Sequence, residues 1–144
     1  MNRAVLDANV LVSAVIRPQG KPAQIVRQRE DFVWLTAEAI LAEVADVLPR
    51  KHIQKKYGVT AAQCRRFLAF VRAAATMVDV RSVVAVIRDD EEDNPILACG
   101  KDGQADYIVT GDGHLLALKE FEGILIVTPD DFLKVLRAEA KSGL

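Results

Sequence analysis

Short apolar runs alternate along the chain with longer segments whose apolar residues repeat every three to four positions. The runs Arg3 to Leu6 (RAVL), Phe32 to Leu35 (FVWL), Met77 to Val80, Tyr107 to Thr110 (YIVT) and Ile124 to Val127 (ILIV) read as five buried strands. Between them, Asn9 to Ile16, Ala23 to Arg29, Ala37 to Leu48 and Thr60 to about Ala75 carry helical periodicity. Asn94 to Gly100, His114 to Leu118 and a last helix beginning at Pro129 complete the alternation. Thr36 and Thr128 stand where helix caps belong, and Pro129 takes a first helical position, where its missing N–H costs nothing. Strands that alternate with helices imply a parallel sheet covered on both faces, an α/β protein of three layers with about five strands.

The 144 residues suit one domain, 1–144, with a composition of 51% hydrophobic and 27% charged residues that is ordinary for a globular protein. The cleanest apolar stretch near the start, Val10 to Ile16, includes Ser13 and is too short for a membrane span or a signal peptide. A cytoplasmic protein with no membrane partner is the expectation. Cys64 and Cys99 lack metal-ligand spacing and sit among apolar neighbours, so both read as small buried hydrophobes.

Net charge is only −1, but its distribution is uneven. Residues 1–80 hold 12 Lys and Arg against 7 Asp and Glu, while residues 81–144 hold 7 against 13. This asymmetry suits a protein that holds cations at one place and an anionic polymer beside it, and equally an interface to a charged partner.

Ligands of open α/β sheets gather beyond the carboxyl ends of the strands. Asp7 closes the first strand there, and Asp112 follows the fourth through the turn Thr110-Gly111-Asp112. At about 100° per residue, Glu43 borders the apolar stripe of its helix, about 40° from Val47, whereas Glu38 points away. Asp93 ends a run of five acids, Asp89 to Asp93, and stands at the start of a helix with Pro95 in its first turn. Each of these acids has a plain alternative use: a turn-former for Asp7, a solvated face for Glu43, and an N-cap for Asp93 and Asp112. Gathered at one sheet edge they would repel one another, and a hard cation such as Mg²⁺ or Mn²⁺ is the natural counterion. With His52 and His114 the only histidines, a histidine-rich zinc site is not expected.

In VLDANVLVSA (Val5 to Ala14), Glu43 of the third helix, DNPILACG (Asp93 to Gly100) and ADYIVTGDGHLL (Ala105 to Leu116), the chain resembles the PIN-domain family of nucleases, which includes VapC-type toxins. The resemblance covers nearly the whole chain. It implies a three-layer α/β/α sandwich and a metal site of Asp7, Glu43, Asp93 and Asp112, which are also the catalytic residues. Asn9 and Thr110 match supporting positions. The implied activity is Mg²⁺- or Mn²⁺-dependent cleavage of single-stranded RNA, and the implied partners are a small antitoxin protein and a second copy in a homodimer. This chain departs from relatives that read Asp-Pro-x-Asp-Asn in the acidic block, so Asp89 stands as an auxiliary acid or a loop residue. Asp90, Glu91 and Glu92 read as solvated loop acids.

Phosphate contacts are expected from Arg17, Lys21, Arg50, Lys51, Lys55 and Lys56, any of which could equally be a solvated helix end. Trp34 and Tyr57 are the chief stacking candidates, with Trp34 better suited to the core. Two other classes compete with the nuclease. One is a catalytically silent PIN-like module that binds RNA or protein, for which an intact acidic set is superfluous. The other is a phosphohydrolase with an aspartyl nucleophile, whose Asp-x-Asp is Asp7-Ala8-Asn9 here.

Overall fold

The computed structural model describes residues 1–84 and 94–142. Its strands are β1 (Arg3–Leu6), β2 (Val33–Thr36), β3 (Thr76–Met77), β4 (Tyr107–Val109), β5 (Glu120–Phe121) and β6 (Ile124–Val127). The helices are α1 (Ala8–Ile16), α2 (Lys21–Arg27), α3 (Glu38–Val47), α4 (Lys51–Tyr57), α5 (Ala61–Ala74), α6 (Asn94–Asp102), α7 (Gly113–Leu118) and α8 (Pro129–Ser142). A 3-10 turn over Arg29–Asp31 leads into β2.

The strands form one sheet in the order β3-β2-β1-β4-β6-β5. All pairings are parallel except that of β5 with β6. Successive strand residues face opposite sides, so Tyr107 and Ile108 identify the two layers that cover β4. The Tyr107 ring meets Phe132 of α8, centroids 5.7 Å apart, and Phe132 also meets Phe32 edge-on at 5.1 Å. Ile108 instead lies under α6, against Gly100. The three-layer α/β/α architecture expected from the alternation is therefore the observed one, with five strands in parallel register.

Gly103 shows how close the α6 end of the chain comes to the sheet. A Cβ there would stand 2.9 Å from the Cys99 carbonyl oxygen, 3.0 Å from Val78 and 3.1 Å from Leu35. Gly103→Ala is expected to lower the unfolding free energy by about 1–3 kcal/mol, the usual range for overpacking, and chemical denaturation would measure it.

Four local details differ from the sequence reading. The third strand pairs only over Thr76–Met77, although Val78 N–H still donates to the Thr36 carbonyl at 2.8 Å. The basic stretch after Pro49 is a helix, α4, closed by Gly58 in the left-handed conformation with φ 68°. A sixth strand, β5, turns into β6 through Glu122 and Gly123, both at positive φ (48° and 84°). Two positive-φ residues make the mirror-image turn that suits the twist of a hairpin, but Glu-Gly is a weaker signal for it than Asn-Gly. Thr36 does not cap α3. Ala37 holds that position without a side-chain bond, and the Thr36 hydroxyl is buried with no hydrogen-bond partner among the described residues.

Candidate active site at the carboxyl edge of the sheet

The register of β1 with β4 builds the centre of the site. Leu6 lies beside Val109, so the next residues, Asp7 and Thr110, emerge side by side from the carboxyl edge. Asp7 N–H closes the ladder by donating to the Val109 carbonyl at 2.9 Å. Asp7 is extended (φ −64°, ψ 155°) and caps α1, its Oδ1 accepting from Ala8 N–H at 2.7 Å. Its Oδ2 accepts from the Thr110 hydroxyl at 2.7 Å and from Asn9 Nδ2 at 3.0 Å.

Thr110 is the junction of this network. Its oxygen also accepts from Asp112 N–H at 3.0 Å and lies 3.3 Å from Asn9 Nδ2. Asn9 Oδ1 takes the Gly111 N–H at 3.2 Å, which fixes the side-chain amide orientation through both of its ends. Asp112 in turn caps α7 by accepting from His114 N–H at 2.8 Å. Asp7 and Asp112 are therefore caps as well as site candidates; the two uses coexist in each residue. Thr110→Val would deprive Asp7 of one of its two shortest bonds and leave Asp112 N–H without this partner. It is expected to destabilise the fold by about 1–3 kcal/mol, read from thermal unfolding, because those groups stay desolvated.

Asp7 is only 5% exposed, and burial pushes its carboxyl above the ordinary carboxylate range. The Thr110 and Ala8 bonds oppose that shift, the negative charge of Asp112 adds to it, and the Asn9 bond opposes it again. Three accepted bonds on a group with about four lone-pair sites leave room for a further partner. A buried carboxylate facing a second one is the donor chemistry that a hard divalent cation suits.

Glu43 is half-buried, as its position on the helical wheel predicts, and borders a cleft of about 690 Å³ together with Ala8 and Asn9. Asp89 and Asp93 lie outside the described residues, as do Asp90, Glu91 and Glu92. Among the described residues no three Asp, Glu, His or Cys side chains come close enough together to hold a metal ion. The thiols are not alternatives: both cysteines are buried, and burial, with the nearby charge of Asp102, pushes Cys99 up to about 12.

The basic candidates separate into two sets. Lys21 is paired with Asp130 at 2.8 Å, Arg50 with Asp46 at 2.8 Å, and Arg17 hydrogen-bonds Tyr57, holding its phenol below the usual range. Lys51, Lys55 and Lys56 lie exposed on α4, with the Lys56 ammonium 5.4 Å from the Tyr57 ring centroid. Trp34 is core, at 2% exposure. Ser13, Val47 and Asp130 border the cleft but escape the sequence reading. The available signal was spacing: Ser13 is one helical turn beyond Asn9, and Val47 one turn beyond Glu43.

A sequence model of the family described as PIN domain matches residues 3–114, a span that includes the whole Asp7–Asn9–Thr110–Asp112 network. The chain is a PIN-domain protein. PIN domains are in general nucleases that use divalent metal ions. This PIN domain is 26% identical over 142 residues to the uncharacterized protein MJ1680 of Methanocaldococcus jannaschii, a match that covers 92% of this chain and 90% of that one. In three dimensions it resembles PAE2754 from Pyrobaculum aerophilum, with a TM-score of 0.62 and 18% identity over 95% of this chain and 90% of the other. It also resembles a chain of VapBC2 from Rickettsia felis, solved bound to a DNA fragment from its promoter. That TM-score is 0.58, with 12% identity over 87% of this chain and 97% of that one. At these identities the structural likenesses bear on the fold.

Proposed function

We propose that this PIN domain, spanning residues 1–144, is a metal-dependent endoribonuclease acting on single-stranded RNA. In this reading Asp7, Glu43, Asp93 and Asp112 hold Mg²⁺ or Mn²⁺, Asn9 and Thr110 orient Asp7, and Asp89 is an auxiliary acid. The observation that carries it is the buried Asp7 carboxylate, kept in place by Thr110 and Asn9 while the charge of Asp112 opposes its ionisation. Capping α1 and α7 accounts for each acid singly but not for the repulsion between them, which a divalent cation would offset. When bound, that cation would supply an activated water and charge stabilisation at a phosphodiester.

The protein's own groups do the positioning. Thr110 donates to Asp7 Oδ2 and accepts from Asp112 N–H, so one hydroxyl sets the distance between the two acids. The exposed Lys51, Lys55 and Lys56 of α4 attract the phosphate backbone and Arg17 adds to their field, while Lys21 and Arg50 are held in ion pairs with Asp130 and Asp46. Such contacts position RNA without reading its sequence. The likeness to a VapBC2 chain supports a small antitoxin protein as partner, and a homodimer is the proposed assembly. Among the described residues no helix is long and apolar enough to cross a membrane, and a cytoplasmic location is part of this reading.

The test is cleavage of a labelled single-stranded RNA by the purified chain. Turnover is expected with Mn²⁺ or Mg²⁺ and is expected to stop when EDTA is added. Activity that persists in EDTA would overturn the metal-dependent mechanism. RNA binding without turnover under every divalent ion tried would make the protein a binding module instead.

A further inference from the structure

The cleft beside the carboxylates has a chemistry of its own. Its floor is one face of α1, where Ala8, Val12 and Ile16 recur every fourth residue and Asn9 and Ser13 run alongside. Val47 of α3, Pro22 of α2 and Pro129 of α8 also line it. At the rim, the Lys21–Asp130 pair ties α2 to α8. A smaller hollow of about 300 Å³ continues past Asn9 and Ser13 to Gly111, one residue before Asp112.

Most of this lining is apolar and gives a phosphate little purchase; of the basic residues on the border, Lys21 is held by Asp130 and Arg17 lies beside the Tyr57 phenol. Aliphatic and proline surfaces instead favour a flat ring, and the volume of about 690 Å³ falls within the range of small-ligand sites, roughly 300–1,000 Å³. The ion pair offers a donor and an acceptor side by side, which is what the hydrogen-bonding edge of a base requires. The cleft also shares Asn9 and Glu43 with the candidate active site, so its occupant would be continuous with whatever lies on the carboxylates.

We propose that this cleft seats one nucleobase of the RNA, unstacked from its neighbours, with the Lys21–Asp130 pair facing its hydrogen-bonding edge. The inference rests on the nuclease reading and deepens it. A strand already single supplies such a base freely, whereas a duplex would first have to flip it out.

Short single-stranded RNAs carrying 2-aminopurine at each position in turn test this on the full chain in EDTA, where binding is read without cleavage. Stacking quenches this probe, so a fluorescence rise confined to one position is the expected result. Val47→Phe, which fills the cleft, is expected to abolish that rise and weaken binding roughly tenfold to a hundredfold. Because Val47→Phe could disturb α3, the exposed rim supplies a second variant. Lys21→Ala is expected to keep the rise but alter the preference among A, C, G and U. A role on phosphate would instead weaken all four equally and would overturn the assignment of that pair. A rise at no position, or unchanged binding by folded Val47→Phe, would overturn the subsite. Cleavage with Mn²⁺ is scored separately. A confirmed base site with no turnover would sink the nuclease reading alone, and turnover with no base-dependent signal would sink the subsite alone.

Discussion

Asp7→Asn is expected to lower metal-dependent RNA cleavage by more than a hundredfold and to change how the stability of the metal-free protein depends on pH. Loss of a supporting partner at a metal site typically costs about 10–100-fold, and Asp7 is proposed as a ligand itself. The pH effect follows from the raised carboxyl. Its folded pKa lies above the unfolded one, because burial and the Asp112 charge both disfavour ionisation. The folded state therefore holds the Asp7 proton more tightly. That contribution is fully present below the unfolded carboxylate pKa and is lost as pH rises through the raised folded value. At neutral pH the metal-free wild type carries this penalty and the neutral amide does not, although the amide NH2 cannot accept the bonds that the replaced carboxylate oxygen accepts. Thermal unfolding in EDTA between pH 4 and 8 should therefore show wild type losing stability relative to the variant as pH rises. Mn²⁺ should stabilise wild type alone: at a hundred times its Kd a cation stabilises by about 2.7 kcal/mol. A difference between the two proteins that does not change with pH, or a variant that is still active, would remove Asp7 from the proposed role.

Phe132→Ala is expected to produce the largest loss of stability, about 3–5 kcal/mol. Phe132 is fully buried and packs edge-on against Phe32 and at a steep angle against Tyr107, so truncation leaves a cavity lined by two rings. At roughly 2–4 °C per kcal/mol for a chain near this size, the midpoint should fall by about 10 °C. The effect reaches the site as well. Phe132 sits two residues beyond Asp130, and α8 carries one wall of the cleft with Pro129 and Asp130. KM for RNA should rise at temperatures where the variant is still folded. An equal loss of kcat with KM unchanged would show that α8 does not shape the cleft.

The sheet was legible because buried parallel strands write themselves as unbroken apolar runs, and RAVL, FVWL, YIVT and ILIV are such runs. The β5–β6 hairpin was not, since two residues carry no periodicity and Glu-Gly makes an unusual mirror-image turn. Glu43 was legible from its angle on α3, and Asp7 and Asp112 from their places at strand ends. The detail that gives Asp7 its character, the hydroxyl of Thr110, depends on a pairing between segments far apart in sequence. The acids Asp89 and Asp93 stand on sequence alone. Spacing cannot reveal that a lysine is already paired: Lys21 and Asp130 come together only because α2 and α8 pack side by side.

The pairing of Asp7 with Thr110 spans 103 residues, and β1 must wait for β4 before it is enclosed on both sides. Domains generally fold as units during synthesis, and contacts between distant parts of the chain form late. A ribosome that has finished α5 has already emitted Asp7, Asn9 and Glu43, yet none of them has the neighbours that would organise an active centre. The carboxylate edge is thus completed only after β4 has been made. A nascent chain stalled anywhere before Thr110 would carry Asp7 without the hydroxyl that holds it, so a cell making this protein meets the assembled pair only once the chain has grown 103 residues beyond Asp7.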